Sequence, residues 1–299
     1  MSGPETTGPA VPPEIPGSVS PPPAPPVPAA PPAPALPLPE AWQLSASPHL
    51  RDADTVPGIM RWVIGALLPA TVWGCWGYGL SAFFVVAVAV VAAVLAEALF
   101  QRMRGVPVTV HDGSAALTGL LLALTIPPNT PLYQVAIGSI FAAGAAKQAF
   151  GGLGFNIVNP ALAGRAFLLA CFPANIKLPV YPGWGIDGAS GPTVLTSLHA
   201  GQSASVTLFD ALLGREGGAI GEVSALLLLL GGLVLLAKRI IDWRIPVFFI
   251  LATVVGLAVF PVRLSDGAYG PWLGALGSLD GIALHLLSGG LILGAFFMA

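Results

Sequence analysis

Leu80-Ser81-Ala82-Phe83-Phe84-Val85-Val86-Ala87-Val88-Ala89-Val90-Val91-Ala92-Ala93-Val94-Leu95-Ala96-Glu97-Ala98-Leu99-Phe100 holds one charge in twenty-one residues. A helix needs about 20 predominantly apolar residues to cross the hydrocarbon core of a bilayer. The run therefore predicts a spanning helix, with Glu97 close to one of its ends. Residues 60–78 form a second such run, joined to the first by a tight turn at Gly77 and Gly79. Downstream, residues 114–126 are apolar but too short to span, and they stop at Pro127-Pro128. Residues 132–150 are long enough, and residues 160–172 follow a glycine-rich break. A mixed loop covers 173–221, then come apolar segments at 222–237, 245–262 and 284–299, about eight in all.

Composition agrees. The chain is 55% hydrophobic and 9% charged, where soluble domains average about 25% charged residues. An all-α, polytopic integral membrane protein in contact with the lipid bilayer is expected. A net charge of −2 gives no ground for a nucleic-acid partner. Cys75 and Cys171 lie in apolar segments without CxxC or Cys/His spacing and read as buried core thiols.

Residues 1–46 differ from the rest. Pro21-Pro22-Pro23-Ala24-Pro25-Pro26 typifies a Pro/Ala-rich stretch that favours polyproline II, and it lacks the basic start and apolar run of a signal peptide. It reads as a disordered cytoplasmic tail, leaving residues 47–299 as the membrane domain. Basic residues orient that domain. Arg51, Arg61, Arg102, Arg104, Lys147, Lys238, Arg239 and Arg244 fall on one side, and Lys177, Arg215 and Arg263 on the other. The bias places the N-terminus inside and the 173–221 loop outside.

A weak internal repeat sharpens the architecture. Asp112-Gly113-Ser114 running into Leu120-Leu121-Leu122 resembles Asp280-Gly281-Ile282 running into Leu286-Leu287-Ser288-Gly289-Gly290. Each begins the third apolar element of its half. Short, glycine-interrupted segments at matching positions point to an inverted-repeat bundle with broken or half helices. On this plan 47–172 is the first repeat, 173–221 an extracytoplasmic loop, and 222–299 a second repeat lacking two helices.

The motifs themselves resemble a known family. Thr118-Gly119-Leu120-Leu121-Leu122-Ala123-Leu124 with Pro127-Pro128, Gly151-Gly152-Leu153-Gly154-Phe155-Asn156, and Asn159-Pro160-Ala161-Leu162-Ala163-Gly164-Arg165 are similar to the D subunit of Rnf electron-transport complexes. That protein is homologous to the B subunit of the sodium-translocating NADH:quinone reductase. The resemblance covers residues 47–299. It implies a non-autonomous subunit of an ion-translocating redox complex, with other membrane subunits as partners. It also implies FMN joined by a phosphoester bond to a threonine, installed by a flavin transferase, with riboflavin open as a second flavin.

In Asp187-Gly188-Ala189-Ser190-Gly191-Pro192-Thr193 the matching acceptor is Thr193. The resemblance makes Asp187, Gly188, Ser190 and Gly191 the attachment motif. Pro192 stands where the family has Ala, and proline fixes its own φ and restricts Gly191. A hydroxyl suits attack on a phosphate, and Gly191 leaves room for a transferase to approach.

Two further residues are candidates for cofactor contact. Arg165 lies six residues into its apolar segment, and its donor fork suits a phosphate or a ring carbonyl. The competing reading is a guanidinium snorkelling to the surface. Asn156 on the glycine-rich loop is placed to orient a cofactor, while Asn159 before Pro160 reads as a helix cap. Ser114 and Thr118 are expected to line a midplane site or to bond to neighbouring helices. No third ligand accompanies His111 and Asp112 at metal spacing. No carboxylate occupies the centre of an apolar segment, so no ion-carrying acid stands out. The second functional reading is a channel or solute transporter on the same plan without flavin, and a third is an incomplete fragment.

Overall fold

The computed structural model describes residues 55–176, 180, 182–183, 207–213, 217–259, 261–263, 269–271, 283, 286–287 and 290–298. The tail expected over 1–46 lies outside these residues. So does the motif Asp187, Gly188, Ser190, Gly191 and Thr193.

Among the described residues two helices are long and apolar enough to cross a membrane: α1 (Val56–Tyr78) and α2 (Leu80–Met103). Thr55 starts α1, its Oγ1 accepting from Gly58 N–H at 3.3 Å, with Pro57 in the first turn, where a missing donor costs nothing. Gly79 turns the chain between the helices at φ 74, a left-handed angle that glycine adopts without a Cβ penalty. On α2 a helical stripe of mostly small residues is buried (Ala82, Val85, Ala89, Ala93, Ala96), while Phe83, Phe84, Val91, Leu95 and Leu99 face outward. An outward face of that composition suits lipid, and the alanines let neighbouring backbones come close.

The neighbour is α3 (Ser114–Leu124). It runs antiparallel to α2, and residues Thr118 through Leu124 are all buried. A short helix that is apolar all round belongs in an interior. At Gly119 an added Cβ would come within 2.5 Å of Ala89 O and 2.7 Å of Val90 Cα. α4 (Leu132–Ile140) continues into a π-helical turn, Phe141–Ala145, and α5 (Pro160–Cys171) returns antiparallel to it. At the far end Tyr133 meets Phe172 edge-on and Asn175 donates to Gln134 Oε1 at 3.1 Å.

In the second half α6 (Ala225–Ala237) packs antiparallel to α1, and α7 (Arg244–Val259) follows. The Lys238 ammonium lies 4.7 Å from the Trp62 ring, while Gly231 sits over Ala66 O and Gly74 over Ile220 O. Then α8 (Leu291–Leu293) enters from Gly290 at φ 73 and passes into a second π turn, Gly294–Met298. Gly290 lies beside Glu222, and Gly232 beside the Phe296 ring. α8 thus runs in the direction of α6, as α3 runs in the direction of α1. Since α1 and α6 point opposite ways, the two sets of three are inverted copies. A left-handed glycine precedes α3 and α8 alike, Gly113 at φ 83 and Gly290 at φ 73.

The helical membrane bundle expected from the sequence is therefore the architecture observed. One small hairpin accompanies it, in which β1 (Pro261–Arg263) pairs antiparallel with β2 (Tyr269–Pro271), placing Val262 opposite Gly270. Two expectations change. The stretch 132–150 is not one continuous helix but α4, a π turn, and a 3-10 turn at Gln148–Phe150. The Phe100 ring presses on Gly144 there, leaving no room for a Cβ. Cys171 is exposed rather than buried, and Cys75 is half-buried.

Candidate functional site

The start of α3 is the most polar part of the described interior. Gly113 breaks the chain from the 3-10 turn Val110–Asp112 into α3. Asp112 Oδ1 then accepts from Ser114 N–H and from Ser114 Oγ, each at 2.7 Å. This satisfies one of the amides that every helix start leaves unpaired. The Lys147 ammonium donates to Ser114 Oγ at 2.6 Å and to Glu97 Oε2 at 2.6 Å. Both charged side chains are 1% exposed.

Around the pair the network continues outward. Gln101 Nε2 donates to Glu97 Oε1 at 3.3 Å and to Thr109 Oγ1 at 2.9 Å, while Thr109 N–H donates to Gln101 Oε1 at 2.9 Å. Arg104 donates to Gln148 O at 2.7 Å, closing the surface side. Glu97 lies six residues before the end of α2, about 9 Å along its axis. Elements from α2, α3 and the turn after α4 therefore converge on one carboxylate.

This corrects two sequence expectations. Lys147 is not a surface charge that merely orients the protein; it is turned inward and buried. Glu97 is the buried acid that the sequence concealed, because a glutamate near a helix end reads as one that reaches the surface. Ser114 bonds within this cluster, whereas Thr118 bonds back to Ser114 O at 2.9 Å, within its own helix.

The glycine-rich loop lies at the same end of the bundle as Lys147. Gly151, Gly152 and Gly154 all have positive φ. Asn159 caps α5, its Oδ1 accepting from Ala161 N–H at 3.0 Å, and its amide donates to Met298 O at 3.1 Å. The cap was legible in sequence; the tie to the end of the second half was not. Asn156 Oδ1 is buried without a hydrogen-bond partner among the described residues. Arg165 is half-buried and has no hydrogen bond or ion pair there either. Asn156 offers an unused acceptor and Arg165 an unused donor fork. Those are the groups that an imide N–H and a ring carbonyl or phosphate of a flavin would engage. Nothing among the described residues brings Asn156 and Arg165 into direct contact.

The chain's relatives bear on this arrangement. The pattern of the NQR2, RnfD, RnfE family matches residues 43–299. The D subunit of the Na(+)-translocating ferredoxin:NAD(+) oxidoreductase complex of Acetobacterium woodii is 42% identical over 259 residues, covering 86% of this chain and 76% of that protein. The D subunit of the proton-translocating ferredoxin:NAD(+) oxidoreductase complex of Clostridium ljungdahlii is 40% identical over 274 residues, covering 86% and 77%. The D subunit of the ion-translocating oxidoreductase complex of Stutzerimonas stutzeri is 40% identical over 277 residues, covering 82% and 75%. The match takes in both inverted halves together with the buried cluster and the glycine-rich loop, and the chain belongs to the NQR2, RnfD, RnfE family.

Proposed function

We propose that this chain is the flavin-bearing membrane subunit of an ion-translocating redox complex, passing electrons whose flow drives Na+ or H+ across a prokaryotic plasma membrane. The observation that carries the reading is the similarity to D subunits of ion-translocating oxidoreductases across nearly the whole membrane body. The unpartnered Asn156 and Arg165, on a fold of inverted broken helices, support it.

FMN bound through its phosphate to Thr193 would supply one- and two-electron chemistry. Within the chain, Thr193 would anchor the group, with Asp187, Gly188, Ser190 and Gly191 forming the peptide that a flavin transferase reads. Asn156 and Arg165 would orient a flavin at the α5 end, riboflavin included. The 173–221 loop would lie on the extracytoplasmic side, and the other subunits would supply the donor and acceptor of electrons.

The test is co-expression with a competent flavin transferase, followed by a denaturing gel. A fluorescent band at the chain's mass that Thr193→Ala removes is expected, and Pro192→Ala is expected to strengthen it. A dark band in the unsubstituted chain would defeat covalent attachment and favour a transporter on the same inverted plan, where a path lies at the repeat interface.

A further inference from the structure

We propose that the seam between α1 and the turn joining α6 to α7 binds an anionic phospholipid. Its phosphate is held by Lys238, Arg239 and Arg244, and its acyl chains lie along α6. The site is independent of the flavin reading and stands on the arrangement of charge and apolar surface.

The turn after α6 carries Lys238 and Arg239, Arg244 opens α7, and Arg61 of α1 lies at the same end of the bundle. All four cations are exposed, and none pairs with a carboxylate among the described residues. Asp242, the acid of the turn, is engaged at the start of α7, its Oδ1 accepting from Arg244 N–H at 3.0 Å. The Lys238 ammonium rests 4.7 Å from the Trp62 ring and has no hydrogen-bond acceptor among the described residues. Arg61 donates through Nε to Pro57 O at 3.0 Å, and its terminal nitrogens are unpartnered there too.

The backbone marks the same place. Among the described residues Arg239 is the one non-glycine with positive φ, at 57. Its N–H donates to Leu236 O at 2.9 Å, and Ile240 N–H donates to Leu235 O at 3.0 Å. That pair of bonds closes a helix through a left-handed residue, a position that glycine ordinarily fills. A side chain there strains the backbone, and strain of this kind is retained where the side chain has a task. Attraction to the C-terminal end of the α6 dipole accounts for a cation in the last turn. It does not account for an arginine in the place of a glycine.

Below the cations the surface is apolar. Leu226, Leu230 and Val234 lead up to Lys238 at a spacing of four, a single stripe along α6, and all three are exposed. Trp62 is half-exposed beside Lys238, a ring suited to the depth of lipid headgroups. Cations above a continuous apolar stripe match a ligand with an anionic head and hydrocarbon tails. Basic pockets between spanning helices bind such headgroups, whereas a free phosphate would leave the stripe uncovered.

The test uses the full chain purified in dodecyl maltoside, with phosphatidylglycerol titrated into the micelles while the thermal midpoint is followed. A rise of about 3 °C is expected, and none with phosphatidylcholine of the same acyl chains. Lys238→Gln should raise the half-saturating lipid fraction about fivefold, the worth of one cation near a bilayer surface. Lys238→Gln/Arg239→Gln/Arg244→Gln should abolish the rise. Arg102→Gln, which removes an exposed cation at the same end on α2, should leave it intact. An equal rise with phosphatidylcholine or with sodium phosphate alone overturns the proposal. So does an undiminished rise in the triple variant, or a loss as large in Arg102→Gln as in Lys238→Gln.

Should the triple variant fail to fold, Arg239→Gly gives a second measurement. It relieves the left-handed backbone, so the midpoint without lipid should hold or rise while the lipid affinity falls about fivefold. An unchanged affinity overturns the proposal. In the assembled complex, native mass spectrometry should find phosphatidylglycerol on the unsubstituted chain and less of it on Arg239→Gly. A complex that retains no lipid has a partner subunit over the seam, which also overturns the proposal.

Discussion

The two halves share a plan but not an interior. In the first, α3 starts from Gly113 against a buried Lys147–Glu97 pair, with Ser114 and Gln101 joined to it. In the second, α8 starts from Gly290 beside one carboxylate, Glu222, whose Oε2 accepts from Ala219 N–H at 2.9 Å. Among the described residues the Lys147–Glu97 pair is the single ion pair. Inverted topology therefore fixes where helices break, while the side chains at each break decide whether it carries charge. A half helix in an apolar interior needs its first amides satisfied. Asp112 does so for α3 and leaves the ammonium to the deeper pair.

The largest break in this comparison comes from removing one member of the pair. Lys147→Met leaves Glu97 buried and unpaired, and a loss of about 3–5 kcal/mol is expected, with Lys147→Met/Glu97→Gln recovering most of it. Chemical unfolding of the purified chain measures both. Additive losses in the two single substitutions and the double one would show that the pair is not a unit.

Smaller effects test the packing that the halves share. Gly119→Ala drives a methyl toward Ala89 O, and Gly231→Ala drives one within 2.5 Å of Ala66 O. Overpacking of this kind costs about 1–3 kcal/mol. Thermal midpoints should fall similarly for both if the close approaches are equivalent in the two halves. A fall confined to Gly119→Ala would mean that the second interface yields.

Asn159→Ala should have the least effect, about 1 kcal/mol for the lost cap. It also frees Met298 O, so amide exchange should rise in residues 294–298 as well as at the α5 start. Faster exchange at α5 alone would show that the two halves are not coupled there.

Much of this was readable from the chain. The uninterrupted apolar run of α2, the short α3 ending before Pro127-Pro128, and the Asn159-Pro160 cap follow from length, hydropathy and local backbone chemistry, which need no distant partner. The internal repeat was visible as two short, glycine-interrupted segments, and an inverted plan was expected from them. Lys147 and Glu97 were misjudged because each lies near the end of an apolar segment, where a long charged side chain ordinarily reaches water. They are separated by 50 residues, and no spacing rule joins them. The π turn after α4 was hidden too, since it answers to the Phe100 ring against Gly144 rather than to propensity.

Sequence alone thus determined a polytopic helical membrane protein, because desolvation of the backbone allows few alternatives in an apolar medium. It also carried the motifs that mark the family. Tertiary structure decided that the first break is charged. Whether an ammonium meets water or a carboxylate depends on which helices pack around it, and that packing is a property of the whole bundle.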